Sequence, residues 1–151
     1  MLFERGEYLN RLARVKRSMT ERNIDLLLVA SPANQFYLTG YDGWSFYTPQ
    51  MVVVALDREE PIWFGRKMDA VGAEFTVFMD AGGIVPYDDS FVASTDKHPI
   101  QALVALIQAE GYARCRIGVE MDDYYYTARW HEVLTSGLPE AAFADAFLLV
   151  N

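Results

Sequence analysis

The sequence predicts a three-layer α/β fold built on a mixed, mostly parallel sheet. Short apolar runs of strand length alternate with stretches of helical period along the 151 residues. One pair of runs, at 51–64, is separated only by the turn "REEP", which inserts a hairpin into an otherwise parallel order. No internal repeat, low-complexity segment or long linker divides the chain, so 1–151 reads as one domain.

The elements follow in order. Residues 7–22 place Tyr8, Leu12, Val15 and Met19 on one helical stripe, with charges opposite and Asn23 as the stop. "IDLLLVA", 24–30, is a near-continuous apolar run, the mark of a strand covered on both faces. Ser31 and Pro32 open a short helix in which Phe36 and Leu38 pack inward and Gly40 ends the last turn. "QMVVVALD" and "IWFG" form the hairpin. "RKMDAVGAEF" is a helix with Met68, Val71 and Phe75 on one side, weakened by Gly72. A strand is expected near 83–87. Ser94, Thr95 or Asp96 is available to cap a helix from Pro99 to Glu110, with the stripe Ile100, Leu103, Val104 and Ile107 and a stop at Gly111. "ARCRIGVEM" alternates as a strand with Cys115, Ile117 and Val119 on one face. Asp122 or Asp123 is expected to cap a helix aligning Tyr126, Trp130, Val133 and Leu134, closed by Gly137-Leu-Pro139. "EAAFADA" is the last strand. The apolar "FLLVN" either docks on this domain or leads into another.

Composition excludes several functions. The net charge is −8, and the basic residues gather only in Arg11, Arg14, Lys16, Arg17 and Arg22, a solvated face of the first helix. Nucleic acid is therefore not an expected partner. No run approaches the roughly 18–20 apolar residues of a membrane span, and the charged start is not a signal peptide. Cys115 is the only cysteine, so no internal disulfide forms, consistent with a cytoplasmic location.

The sequence carries no recognisable catalytic set. His98 and His131 are the only histidines, with no HExxH spacing. His98, before Pro99, reads as a capping or surface histidine rather than a ligand. Asp88-Asp89 and Asp122-Asp123 read as turns and caps rather than metal ligands, and neither a phosphate loop nor a G-x-S-x-G elbow occurs. Cys115 reads as inert core. What remains is "YLTGYDGWSFYTPQ", where Trp44, Phe46 and Tyr47 follow a Gly-Tyr-Asp-Gly turn, together with Arg66 and Asp69 just after a strand. Ligands in open α/β sheets meet the carboxyl ends of strands. Arg66 has the planar donors to clamp a carboxylate, or it pairs with Asp69 at i,i+3.

These residues carry a resemblance. "EYLNRLARVKRSMTERNIDLLLVASPANQFYLTGYDGWSFYTPQMVVV" resembles the N-terminal domain of the creatinase and Xaa-Pro dipeptidase family of pita-bread metallohydrolases. The carriers are a helix ending in Met-x-x-x-x-Ile-Asp, an apolar strand and a "PAN…YLTGY" segment, and the resemblance runs on through Asn151. "GYDGWSFY" is most similar to the ectoine hydrolase branch.

The resemblance implies a mixed six-stranded sheet flanked by helices, ribonuclease H-like. It implies that this domain precedes a larger catalytic domain that the chain lacks. The parent would hydrolyse a C–N bond in a dipeptide or other small molecule. Peptidase members hold two divalent metals through two Asp, one His and two Glu, and none of those motifs is matched here. Creatinase itself uses no metal. No cofactor is expected in this chain. The family dimer sets the N-terminal domain of one subunit near the active site of the second copy. The loop matching 41–47 helps close that site, so Trp44, Phe46 and Tyr47 would form a lid. Tyr41 and Asp42 would hold the turn, with Tyr37 and Leu38 in the core. The alternative is a stand-alone interaction or small-molecule-binding module that kept the fold without the enzyme.

Overall fold

The structure is a computed structural model that describes residues 2–150. A six-stranded sheet has the order β4-β3-β2-β1-β5-β6. The strands are β1 (Leu26–Val29), β2 (Met51–Ala55), β3 (Ile62–Arg66), β4 (Ile84–Tyr87), β5 (Arg116–Val119) and β6 (Ala142–Asp145). Strand β2 runs antiparallel to both neighbours, β1 and β3, while β1–β5, β5–β6 and β3–β4 are parallel. The sheet is thus mixed and mostly parallel, flanked by helices, as the alternation predicts.

Strand β1 shows how the layers form. Its four residues are all buried, but they alternate between two cores. Leu27 and Val29 join Tyr8, Leu12, Val15 and Met19 of helix α1 (Arg5–Glu21). Leu38 of α2 (Pro32–Thr39) and Ala70 and Ala73 of α3 (Lys67–Thr76) lie in this same core. Leu26 and Leu28 face the other way, toward Ile100, Leu103 and Ile107 of α4 (Pro99–Ala109) and Leu134 of α5 (Ala128–Gly137). Three helices cover one face and two the other. Leu149 and Val150 are buried in the first core, so this part of the apolar end docks on the sheet.

Helix α1 ends as expected. Asn23 takes a left-handed φ of 55°, and the Ile24 N–H reaches back to the Met19 carbonyl at 2.9 Å. Arg11 departs from the solvated reading. It is buried, donating to Glu7 Oε1 at 2.8 Å and to the Tyr37 carbonyl at 3.0 Å, with its guanidinium 4.4–5.5 Å from the rings of Phe3, Tyr37 and Tyr8. A weakly hydrated planar cation tolerates such a place when its N–H groups are paired.

Helix α3 corrects the stripe read from the sequence. Met68, Val71 and Phe75 face solvent, and the small Ala70 and Ala73 pack inward. Small side chains let a short helix approach β3 and β4 closely, so spacing alone pointed to the wrong face. Two caps also move. Helix α4 is capped by His98, whose Nδ1 accepts the Ile100 N–H at 3.1 Å while Gln101 Oε1 accepts the His98 N–H at 3.0 Å, a capping box, rather than by Ser94, Thr95 or Asp96. Helix α5 begins later than predicted, with Thr127 as cap, and Asp123 instead closes a turn onto the Tyr125 N–H at 2.9 Å. Cys115 sits half-buried just before β5, and burial pushes its thiol up.

Candidate functional site

Five strands end at one edge of the sheet, and the antiparallel β2 begins there. The chain leaves β1 toward β2 on one side and returns to β5 on the other, so the crevice between β1 and β5 is the topological switch point. Glu120, directly after β5, fills it. This side chain is 1% exposed. Its Oε2 accepts the N–H groups of Ala30 and Ser31 at 2.7 and 2.8 Å, and its Oε1 accepts Asn34 Nδ2 at 2.6 Å. A carboxylate suits the positive end of α2. It also replaces the cap expected from the Ser31 hydroxyl, which makes no capping bond. Burial pushes the Glu120 carboxyl up, and the bonds from Ser31, Asn34 and Ala30 oppose that shift.

Glu120 was missed in the sequence, although a lone acid closing the apolar run "RIGVE" was its visible signal. Gln35 and Gln50 were missed as well. Gln35 Nε2 donates to the carbonyls of Ala30 at 3.0 Å and Gln50 at 3.1 Å. Gln50 Nε2 donates to Tyr41 Oη at 2.9 Å and Asp69 Oδ2 at 3.0 Å. Asp69 therefore belongs to this buried network and does not pair with Arg66. Tyr41 is buried, and its hydroxyl is pushed up to about 12 by that burial and then by the Asp69 charge, so it stays protonated at neutral pH.

The aromatic loop stands over this network. Its ends are tied down. Tyr41 packs on Trp63 with ring centroids 5.2 Å apart, and Tyr87 Oη donates to the Pro49 carbonyl at 2.9 Å. Asp42 is exposed and holds the turn through its N–H, which donates to Thr76 Oγ1 at 3.3 Å, rather than through a bond to its own backbone. The middle of the loop is uncovered. Trp44, Phe46 and Tyr47 are 54%, 75% and 68% exposed. They are nevertheless positioned: Trp44 Nε1 donates to Tyr125 Oη at 2.7 Å, and Trp44 meets Phe46 edge-on at 5.6 Å. Arg66 bonds Tyr47 Oη at 3.3 Å and pairs with Asp89 Oδ1 at 2.8 Å. The structure thus brings Trp44, Phe46, Tyr47 and Arg66 to one place and puts Tyr41 and Asp69 beneath it. Arg66 has already spent its fork on Asp89 and Tyr47, which leaves less of it for a ligand carboxylate.

Two hollows flank the loop. One, of about 210 Å³, is lined by Phe46, Tyr47, Tyr124, Tyr125 and Trp130. The other, of about 240 Å³, lies between Tyr47, Pro49, Phe91, Lys97 and Trp130. A wider cleft between α4 and α5 is rimmed on the α5 side by the Arg129–Glu132 i,i+3 ion pair at 2.6 Å. Among the described residues, no group of three or more His, Cys, Asp or Glu side chains is arranged to hold a metal ion. No helix among them is long and apolar enough to cross a membrane.

A model of the Creatinase/Prolidase N-terminal domain matches residues 11–151. The chain belongs to that family. It is 45% identical over 150 residues to the ectoine hydrolase of Halomonas elongata, covering 99% of this chain and 37% of that protein. The chain therefore spans little more than a third of that relative. Among solved structures, a proline dipeptidase from Streptococcus pneumoniae superposes with a TM-score of 0.71 at 22% identity, over 90% of each chain. The N-terminal domain of an Xaa-Pro dipeptidase from Lactobacillus brevis gives 0.74 at 14% identity, over 93% of this chain and 97% of that one. At such identities the two structures speak for the shared fold.

Proposed function

We propose that this chain is the non-catalytic N-terminal domain of a cytoplasmic hydrolase acting on a C–N bond, of the Xaa-Pro dipeptidase or ectoine hydrolase type. In this reading its aromatic loop closes an active site built mainly by a following catalytic domain, and the domain also supplies contacts in a homodimer. Any divalent metals of the full protein are held by that following domain.

One observation carries the reading. Trp44, Phe46 and Tyr47 stay more than half exposed although both ends of their loop, at Tyr41 and Pro49, are buried and bonded. Large rings held in a fixed pose without cover from their own domain form a surface shaped for another body. A closing loop excludes water and positions substrate, so it changes rate without supplying a nucleophile.

The test uses the full-length protein with Xaa-Pro dipeptides and ectoine as substrates. Trp44→Ala is expected to lower kcat/KM by about ten- to a hundredfold, the range for misplacing a substrate, with the fold intact by circular dichroism. Unchanged kcat/KM for Trp44→Ala and Phe46→Ala alike would remove the loop from the active site.

A further inference from the structure

We propose that Asp42-Gly43 is a site of spontaneous covalent modification, where the backbone isomerises through a succinimide from an aspartyl to an isoaspartyl linkage. The chemistry stands apart from the lid reading; only its effect on activity rests on it.

The sequence confines the reaction to one place. Ring closure brings the amide nitrogen of the following residue onto the aspartyl Cγ, and a side chain on that residue obstructs the approach. Asp42-Gly43 is the one Asp-Gly step in the chain, and Asn-Gly does not occur.

The structure leaves both reacting groups free. Asp42 is exposed. Among the described residues, its carboxylate makes no hydrogen bond or ion pair, and the Gly43 N–H has no acceptor. The carboxylates of Asp80 and Asp122 are also free of hydrogen bonds, but Ala81 and Asp123 follow them. Every other aspartate has a carboxylate oxygen bonded, as Asp69 has to Gln50 Nε2 at 3.0 Å. Such a bond holds the carboxyl away from the neighbouring amide.

Packing, independently, imposes the glycine. A Cβ at position 43 would lie 2.5 Å from both the ring and the hydroxyl of Tyr41. Tyr41 is buried, packed on Trp63 and bonded to Gln50 Nε2 at 2.9 Å. No side chain can shield the Gly43 amide without displacing that ring, so the fold requires the residue that leaves the nitrogen open.

The step balances with water alone. In the acid form of Asp42 the Gly43 nitrogen attacks Cγ; the N–Cγ bond forms and a Cγ–O bond breaks. The departing hydroxyl takes the amide proton and leaves as water. Water then adds to one of the two ring carbonyls. Opening at Cγ restores aspartate. Opening at the backbone carbonyl leaves Cγ in the main chain and frees the former backbone carboxyl. Nothing is oxidised or reduced, and mass and charge return to their starting values.

The product has a longer loop. The main chain gains one C–C bond, about 1.5 Å. The Asp42 N–H is tied to Thr76 Oγ1 at 3.3 Å, and the Pro49 carbonyl to Tyr87 Oη at 2.9 Å. The added length falls between these anchors, under Trp44, Phe46 and Tyr47. A shift of that size breaks the Trp44 Nε1 bond to Tyr125 Oη, now 2.7 Å.

The test ages the 151-residue chain at body temperature in mildly acidic water enriched in heavy oxygen, followed by peptide mapping. Asp42 is expected to accumulate isoaspartate at least about tenfold faster than any other aspartate. Each isomerised chain should carry one heavy oxygen, after an intermediate lighter by one water. Asp42→Glu, whose ring needs a further atom, should slow the change at least about tenfold, and Asp42→Asn should hasten it with loss of ammonia. No isoaspartate at Asp42, an even spread over the aspartates, or isomerisation without heavy oxygen overturns the proposal. Full-length protein aged in the same way should lose kcat/KM in step with its isoaspartate, and an isoaspartyl methyltransferase with S-adenosylmethionine should recover part of the loss. Isoaspartate at Asp42 with undiminished kcat/KM, while Trp44→Ala still lowers it, overturns the coupling and leaves the lid standing. If Trp44→Ala is silent as well, the lid falls and the modification site stands.

Discussion

Asn34 Nδ2 donates to Glu120 Oε1 at 2.6 Å, across 86 residues of sequence. That bond, with the two backbone N–H groups on Glu120 Oε2, fastens the start of α2 to the end of β5. Helix N-termini at switch points are ready sites for an external anion. Here the protein's own carboxylate takes the position. The crevice is closed, and the accessible ground at this edge shifts to the aromatic loop beside it.

Removing that carboxylate orphans buried donors. Glu120→Ala is expected to cost about 2–5 kcal/mol, from ~1–3 for each unpaired N–H group, read as a lower urea midpoint. Glu120→Gln should cost less, because Asn34 can turn its amide to match. The two proteins also differ in pH dependence. Burial raises the native Glu120 carboxyl above its ordinary 4.5, so the folded chain keeps this proton longer than the unfolded chain. The resulting stabilisation is fully present below 4.5 and is lost as pH rises through the folded value. The stability of wild type minus that of Glu120→Gln should therefore decline with rising pH above 4.5, and a flat difference would contradict the shift.

The sequence made the layers legible because β1 and α1 bury large residues at unambiguous periods. It failed at α3, where Ala70 and Ala73 carry the contact and Met68, Val71 and Phe75 do not. Alanine is weakly apolar and is a poor marker of a face, yet it permits the closest approach to a sheet. Glu120 was hidden for another reason: its partners Ala30, Ser31 and Asn34 lie 86–90 residues away in sequence, and nothing local announces them. The loop rings could be picked out as unusual, since five aromatics crowd a glycine turn. Their tether to Tyr125, 81 residues on, could not.

Two glycines separate backbone strain from crowding. Gly40 and Gly111 both end helices with positive φ, 81° and 86°. An added Cβ at Gly111 meets open space, so Gly111→Ala should cost only the left-handed penalty of about 1–2 kcal/mol. At Gly40 the same atom lies 2.7 Å from the buried Tyr8 hydroxyl and 3.0 Å from the Thr76 carbonyl. Gly40→Ala should therefore melt clearly lower than Gly111→Ala. Equal melting temperatures would show that Tyr8 and Thr76 yield freely.

His98 predicts an acid limit for α4. Its Nδ1 must be unprotonated to accept the Ile100 N–H, and its pKa is lowered by burial and then by the Arg129 charge. A base with a lowered folded pKa contributes stability that is complete above its ordinary 6.5 and lost as pH falls through the folded value. Replacing it with Asn keeps a capping oxygen and removes the titration. His98→Asn should thus flatten the stability profile below pH 6.5, while His98→Ala should cost about 0.5–2 kcal/mol at neutral pH. An unchanged acid slope in His98→Asn would place the titration elsewhere.

The two tryptophans of the first half distinguish core from surface. Trp63 is 0% exposed, packed on Tyr41 in the α1-side core, and Trp63→Ala should cost about 3–5 kcal/mol. Trp44 is 54% exposed and makes one hydrogen bond to Tyr125. Trp44→Ala should cost no more than about 0.5–1.5 kcal/mol in the 151-residue chain, the worth of that bond. Urea unfolding of both variants gives the comparison directly. A Trp44→Ala loss in the Trp63 range would mean that the ring is core to its own domain, and the lid would lose its physical basis. A small loss, beside a large fall in kcat/KM when the same variant is made in the full-length protein, is the pattern of a surface that works only when another body closes over it.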